Sequence, residues 1–470
     1  SYNFLDRYLF QANFRADASS IFSKNERWGY FPSVSVGWKF TSEPFMQNQD
    51  WLSLGKLRFG WGQLGNNRIN ELSRYTLLNT EKNYSFGIGN HRVYPGTTSI
   101  LIGNPDIHWE KTETFNVGLD LGLFNNRLTL GLEWFTKLTT DMLLRVPVPL
   151  STGFDDFDNV DDDAPMTNAG SVRNSGVELS VNFRNKIKKF RYEIGFNVSY
   201  IKNKVVSLGL GDEPVYGGYL SESSILDYVT KTAVGKPIGS FFGYVTDGIF
   251  NSLDEVKASA QYDAGKNEFD LSTRQGDFRF KDLNNDGRIT DLDMRKIGYS
   301  GGLPLLNYGI SINANWKGFD INMLWQGAGK YQYYREWEVQ KPAPGDGNSA
   351  AMFADRWHRE DPFDPNSAWI PGKYPSTGSW ASGQNNNYDR ASDFWLTNIV
   401  YLRLKELELG YTIPQQISLK AGIKRFRVYF SGTNLITFDN IDIVDPEIDI
   451  ANGVTYPPTK LVSIGFNATF

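Results

Sequence analysis

Cysteine is missing from all 470 residues, which excludes disulfide staples, thiol nucleophiles and zinc–thiolate sites together. Histidine is nearly missing too, with three in the chain. His91, His108 and His358 stand in separate loop segments without metal-ligand spacing, so surface roles are their default. No run of about 18 apolar residues occurs, so no helix of this sequence spans a bilayer; spanning by strands is untouched by that. A formal net charge of -5 with a pI near 5.5 argues against nucleic acid as a partner. No secretion signal precedes Ser1, and the chain starts almost inside a strand, so it reads as a mature fragment or, more naturally, as a piece of a longer protein.

What the chain does have is an unusual pairing of traits. Aromatics reach 15% while hydrophobics total only 40%, and mean hydropathy is -0.41. A soluble core rarely combines these, whereas a membrane barrel needs aromatic girdles outside and polar residues inside. The final stretch shows the pattern: Val462, Ile464, Phe466, Ala468 and Phe470 alternate with Ser463, Gly465, Asn467 and Thr469. Period-two alternation predicts a strand with one apolar face. The same rhythm recurs at Tyr8 to Asp17, at Val34 to Phe40, at Leu57 to Trp61, at Phe115 to Leu123 and at Leu128 to Trp134. Further strands are predicted at 177–183, 192–200, 308–316, 319–325 and 426–430. Between Arg403 and Tyr411 the apolar row changes parity, with Leu402 and Leu404 out of step with Leu407, Leu409 and Tyr411, which predicts a bulge or a register break. About a dozen strands result, most long enough to cross a bilayer at a tilt.

The polar rows carry glycine and ionisable groups, for example Arg58, Gly60 and Gly62 or Gly118, Asp120 and Gly122. An unpaired charge in a dry core costs several kcal/mol, so these rows suit a watery lumen or a surface packed on a plug. The connections alternate in length. Short links near 124–127, 184–190 and 317–318 alternate with long ones near 65–111, 145–172, 204–304, 329–396 and 437–458, as expected of short periplasmic turns and long outside loops. Two links, near 41–53 and 412–424, are longer than that rule prefers. The reading is all-β: an antiparallel transmembrane β-barrel filling residues 1–470.

Several runs carry a family resemblance. Phe31-Pro32-Ser33 with Gly37-Trp38, Gly55-Lys56-Leu57-Arg58 through Gly65-Asn66, and Asn104-Pro105-Asp106 with Trp109-Glu110-Lys111-Thr112 resemble the SusC/RagA family of TonB-dependent outer-membrane transporters. So do Asn174-Ser175-Gly176-Val177-Glu178, Gly243-Tyr244 with Asp247-Gly248-Ile249-Phe250, and Gly432-Thr433-Asn434-Leu435. The resemblance implies an N-terminal plug in a large barrel, coupling to TonB, a SusD-like surface lipoprotein as lid, and import of glycans or peptides in Gram-negative Bacteroidota. On that reading the sequence lacks the plug, the TonB box and the first barrel strands. A plugged barrel has about 22 strands, so this is the C-terminal part of one, needing further strands to close its edges in lipid.

One local motif suggests metal chemistry. Between Asp282 and Asp293 the spacing of a calcium loop is reproduced. Asp282, Asn284, Asp286, Thr290 and Asp293 offer side-chain oxygens, Arg288 its carbonyl, and Gly287 the sharp turn. The last position is Asp rather than the usual Glu, one methylene shorter. Asn-Asp-Gly is also a common turn; the metal reading takes calcium before magnesium, as a stiffener of the 204–304 loop. No base or nucleophile constellation accompanies it, so no catalytic residue is assigned. The acidic run Asp155, Asp156, Asp158, Asp161, Asp162 and Asp163 reads as a solvated loop. Tyr331, Tyr333, Tyr334, Trp337, Trp357, Trp369, Trp380 and Trp395 could stack on substrate but are expected chiefly to pack the loop or its partner. Energised uptake is the preferred function. A passive porin is the alternative, and a soluble glycan-active enzyme with a dockerin-like segment is disfavoured because the calcium-type loop lies mid-chain.

Overall fold

The computed structural model describes residues 1–46, 48–86, 92–145, 165–209, 211–219, 228–262, 272–300, 303–336, 339–342, 348–364, 366–377, 387–441, 444–447 and 456–470. Two compact units divide the chain. One comprises Ser1–Phe183, Ile201–Glu213 and Ala233–Gly235, and the other Arg184–Tyr200, Pro214–Thr232 and Lys236–Phe470.

In the first unit the wall strands are β1 (Tyr2–Phe4), β2 (Tyr8–Ala18), β3 (Trp28–Trp38), β4 (Leu52–Asn66), β5 (Glu110–Leu123), β6 (Leu128–Thr140) and residues 171–183 of β7 (Ser171–Ile187). Each lies antiparallel beside the next in chain order, across short turns and long loops alike. The β5–β6 turn holds Phe124, Asn125 and Asn126 at φ 54°, 58° and 57°. Asparagine tolerates that left-handed region, so the pair closes the hairpin at little cost. β1 is not visible in the alternation; it is three residues long and returns through Leu5 and Asp6, both at positive φ. The 41–53 link is longer than a hairpin because it contains two short 3-10 turns, Phe40–Ser42 and Pro44–Met46. Above the strands Phe22, Phe31, Ile107 and Trp109 form a small buried core.

The second unit holds residues 190–200 of β8 (Phe190–Ser207), together with β9 (Leu306–Trp316), β10 (Phe319–Tyr334), β11 (Leu396–Thr412), β12 (Arg425–Asp439) and β13 (Leu461–Thr469), again neighbours in order. Lys317 and Gly318 make the β9–β10 turn at φ 49° and 95°, the geometry that matches strand twist. The parity change in β11 is a bulge at Lys405. Partners on β12 pass from Leu404↔Ile436 to Glu406↔Thr433, and on β10 from Leu404↔Trp325 to Glu406↔Leu324. The 412–424 link holds the helical turns Gln415–Ser418 and Leu419–Ala421. Among the described residues, β13 pairs with β12 on one side and with nothing on the other.

The 204–304 loop of this unit is not structureless. Val215–Tyr219, Tyr228–Thr232, Ser240–Gly243 and Arg295–Ser300 build a four-stranded sheet. Segments from this loop and the 329–396 loop then share one core: Phe241, Tyr244, Phe278 and Phe280 pack with Phe353, Tyr374, Tyr388 and Trp395. Burying large rings is worth about 1.5–3 kcal/mol each, enough to fix loops of this length. No helix of the described residues is long and apolar enough to cross a membrane.

Candidate functional site

The polar face of the wall strands organises itself around arginines laid flat over glycines. In the first unit Arg58 on β4 faces Gly118 on β5, which in turn faces Glu133 on β6. Because Gly118 has no side chain, the guanidinium lies across it; a Cβ there would stand 2.8 Å from Arg58 Cζ. Arg58 thereby donates to both oxygens of Asp120 at 2.8 and 3.0 Å and to Glu133 at 3.2 Å, and Asn116 donates to the other Glu133 oxygen at 3.0 Å. Three strands are tied by one side chain.

The second unit repeats the device. Arg427 on β12 crosses Gly410 on β11, where a Cβ would come within 2.3 Å of its Nη2. It donates to both oxygens of Asp320 on β10, through Nε at 3.1 Å, and to Glu408 at 2.6 Å. The fork geometry of arginine suits such bidentate pairing. Inner-row glycines here clear a path for a strap as well as leaving room in a lumen.

A third cluster fastens a loop. Arg403, 2% exposed, donates to Asp445 at 2.5 Å and to Glu447 at 2.6 Å, and Lys405 donates to the same Glu447 at 2.6 Å. Tyr331 donates its hydroxyl to the Pro446 carbonyl, and Ile441 and Val444 pack on Tyr331, Tyr333, Ile399 and Tyr401.

Of the loop aromatics, Tyr331, Tyr333, Tyr334, Trp357 and Trp395 are buried, and Trp369 stacks under Arg359 at 4.7 Å. Packing is their role. Trp337 and Trp380 lie outside the described residues, as do His91 and the acidic run 155–163. His108 and His358 each set one ring nitrogen against a nearby carbonyl, of Asp106 at 3.0 Å and of Arg356 at 2.7 Å. Sequence reasoning had no signal for Asp277, which sits buried in the loop core. Ser376 Oγ and Asn387 Nδ2 donate to its Oδ1 at 2.6 and 2.7 Å, and Arg274 N to its Oδ2 at 2.8 Å. Burial pushes the Asp277 carboxyl above the usual aspartate range, against the pull of those bonds.

The 282–293 loop turns as its spacing predicts, with Asn285 at φ 59° and Gly287 at 78°. Asp282 accepts from Gly287 N at 2.8 Å, and Asn284 and Asp286 bond each other at 2.9 Å. Asp293 is fully buried and ties the loop ends, accepting from Leu283 N and Thr290 N at 2.8 Å each. Arg288 donates its N–H to Asp286, and Thr290 caps the turn that carries Asp293. Asp282 Oδ1 is buried without a hydrogen-bond partner. Among the described residues, no three acidic or histidine side chains converge closely enough to hold a metal ion, and backbone N–H groups bond to both Asp293 oxygens.

An alternating wall strapped from within, crowned by packed loops, has counterparts among known proteins. A family model described as the TonB dependent receptor-like β-barrel matches residues 1–315. The chain belongs to that family. Curated relatives of this TonB-dependent receptor-like barrel include TonB-dependent receptor P39 of Formosa agariphila, 28% identical over 100% of this chain and 45% of its own length. Another is TonB-dependent receptor SusC of Bacteroides thetaiotaomicron, 28% identical over 100% of this chain and 43% of its own. The chain thus spans somewhat less than half the length of the curated relatives it matches. The fold is also that of the RagAB peptide transporter structure, with a TM-score of 0.71 at 22% identity over 99% of this chain and 46% of that one. The SusC/RagA resemblance of the sequence motifs and the all-β barrel fold therefore stand.

Proposed function

We propose that this barrel imports a nutrient oligomer, a glycan or a peptide, across the outer membrane of a Gram-negative bacterium of the Bacteroidota, driven through TonB and working with a SusD-like surface lipoprotein. The observation that carries the reading is the two-faced wall. Phe59, Trp134, Val428, Ile464 and Phe466 are exposed on one row, as a lipid-facing surface requires. The other row holds charges that are paired with one another, Arg58 to Asp120 and Glu133 and Arg427 to Asp320 and Glu408. The family supports a transporter or receptor rather than an enzyme, and the names of its relatives support TonB dependence. The lid partnership rests on the SusC/RagA resemblance and on the packed core that the described residues of the 204–304 and 329–396 loops share, which offers a lipoprotein a firm surface.

Deleting the gene in its host should abolish uptake of one oligomer class, and a protonophore should mimic the deletion. A full-length protein that passes ions and small solutes in a planar bilayer without any energy source would instead favour a passive porin.

The 282–293 loop is read as a calcium site that stiffens this outer region. Support comes from the calcium-type spacing and from the unpartnered Asp282 Oδ1; a hard cation is the natural partner for such an oxygen. Asp282, Asn284, Asp286, the Arg288 carbonyl, Thr290 and Asp293 would hold it.

A further inference from the structure

The four-stranded loop sheet sets two lysines beside two rings. Tyr216 lies opposite Lys231 across strands, Lys231 opposite Ser240, and Phe242, two residues beyond Ser240, opposite Lys296. Alternation therefore puts Tyr216, Lys231, Phe242 and Lys296 on one face. Lys231 Nζ stands 5.0 Å from the Tyr216 ring centroid and 4.5 Å from that of Phe242, which holds its charge in place by cation–π attraction. Lys236, from the turn between two of these strands, adds a third positive charge. The Lys296 amine is depressed from the ordinary lysine range, first by burial and then by Lys236.

Three other cations of the same loops are paired with carboxylates. Lys281 reaches Asp247 at 3.6 Å, Arg279 reaches Asp247 at 3.7 Å and Glu255 at 3.9 Å, and Lys341 reaches Asp389 at 2.9 Å. Among the described residues, Lys231, Lys236 and Lys296 have no carboxylate partner. Like charges brought together and partly desolvated raise the energy of the empty face, and an arriving anion lowers it. The Tyr216 ring is exposed beside them; it offers a flat apolar surface of the kind that packs against the C–H edges of a pyranose.

We propose that this face binds an acidic oligosaccharide, with Lys236 and Lys296 contacting a carboxylate or sulfate on the sugar and Tyr216 packing on its ring. Lys231 acts as a positioning residue that keeps the two rings apart and the surface positive. The proposal rests on the uptake reading above and narrows the cargo to anionic glycans.

The test uses the full-length transporter in detergent, with binding of trigalacturonate, a sulfated trisaccharide, neutral maltotriose and triglutamate measured by calorimetry at low salt. The wild type should bind one of the two acidic sugars, which identifies the anionic group, and should leave maltotriose unbound. The K236Q/K296Q double variant should weaken that binding by about tenfold or more, since charge-assisted hydrogen bonds are lost. K236R/K296R should retain it, and Y216A should weaken it without altering the salt dependence. The proposal is overturned if neither acidic sugar binds, if maltotriose binds as tightly, if the double glutamine variant binds normally, or if triglutamate binds equally well and ignores Y216A. Unaltered heat-modifiable migration on gels checks that each variant is folded. TonB-dependent uptake of a neutral oligomer without acidic-sugar binding would sink this proposal alone, whereas binding without any energised uptake would sink the transport reading alone.

Discussion

Arg427 occupies the space that a side chain at Gly410 would need, and from there it reaches the strand beyond to grip Asp320. Arg58 and Gly118 stand in the same relation in the other unit. The glycine is thus part of the ion pair.

A double-mutant cycle tests this. Gly410→Ala should displace the guanidinium and cost about 1–3 kcal/mol, the range for a stranded polar partner. Arg427→Ala should cost a similar amount. The two together should cost clearly less than their sum, because each removes the same strap. Urea unfolding of the full-length barrel, followed by tryptophan fluorescence, measures the coupling; full additivity would refute the shared role.

Arg403 is the keystone of the 444–447 segment. Replacing it with Gln leaves Asp445 without its cation and Glu447 with Lys405 alone. Breaking a buried pair by removing one partner costs about 3–5 kcal/mol, so the segment should detach locally while the strands stay paired. Hydrogen exchange at 444–447 should accelerate strongly in Arg403→Gln and only modestly in Lys405→Gln. Unchanged protection in Arg403→Gln would mean that the Tyr331 and Val444 contacts suffice.

Asp277 makes the loop core sensitive to pH. Its folded-state carboxyl titrates above the ordinary aspartate value, so folding binds a proton more tightly than the unfolded chain does. The sign follows: its contribution is greatest below about pH 4, the unfolded value, and falls as pH rises through the folded one. Protease resistance of the 240–300 loops in the wild type, relative to Asp277→Asn, should therefore decline from acid towards neutral pH. A ratio that is flat or rises would contradict the assignment.

The rows, the hairpin turns and the bulge at Lys405 are legible in the sequence because strand parity is written locally, in neighbouring residues. Asn125-Asn126, Lys317-Gly318 and the shift between Leu404 and Leu407 each announce themselves within a few positions. The straps are not legible that way. Arg58 meets Asp120 and Glu133 only after strands 62 and 75 residues away in sequence are brought into register, and a glycine gives no hint that an arginine will lie on it. The shared loop core is hidden for the same reason: Phe278, Tyr374 and Trp395 show no period, and only folding unites them. Of the 282–293 loop, the spacing predicts the turn, while the backbone bonds that occupy Asp293 depend on the capped turn at Thr290.

Calcium should bind the 282–293 loop of the purified protein. Asp282→Ala or Asp286→Ala should remove bound calcium, measured by elemental analysis, and make the loop sensitive to protease while the barrel stays folded. Asp293→Ala should loosen the loop even in chelator, because it also unties Leu283 and Thr290. Unchanged calcium content in the Asp282 and Asp286 variants would remove the site from consideration.

The last strand allows the membrane-facing row to be told from the lumen row by one charge moved one residue. Val462, Ile464 and Phe466 lie beside Gly432, Phe430 and Val428 on β12, and Ile464 is 80% exposed; Ser463 and Gly465 lie on the opposite face. An arginine on the lipid row near mid-membrane costs about 2–4 kcal/mol, whereas one facing water inside costs little. Ile464→Arg should therefore reduce the yield of heat-modifiable barrel in the outer-membrane fraction several-fold, and Ser463→Arg should leave it near the wild-type level. The same arginine is introduced at positions one residue apart, and its cost in lipid against its cost in water is the dominant difference between them. If Ser463→Arg were the damaging one, the register of β13 against lipid would be inverted, and with it the assignment of the strapped row to the lumen.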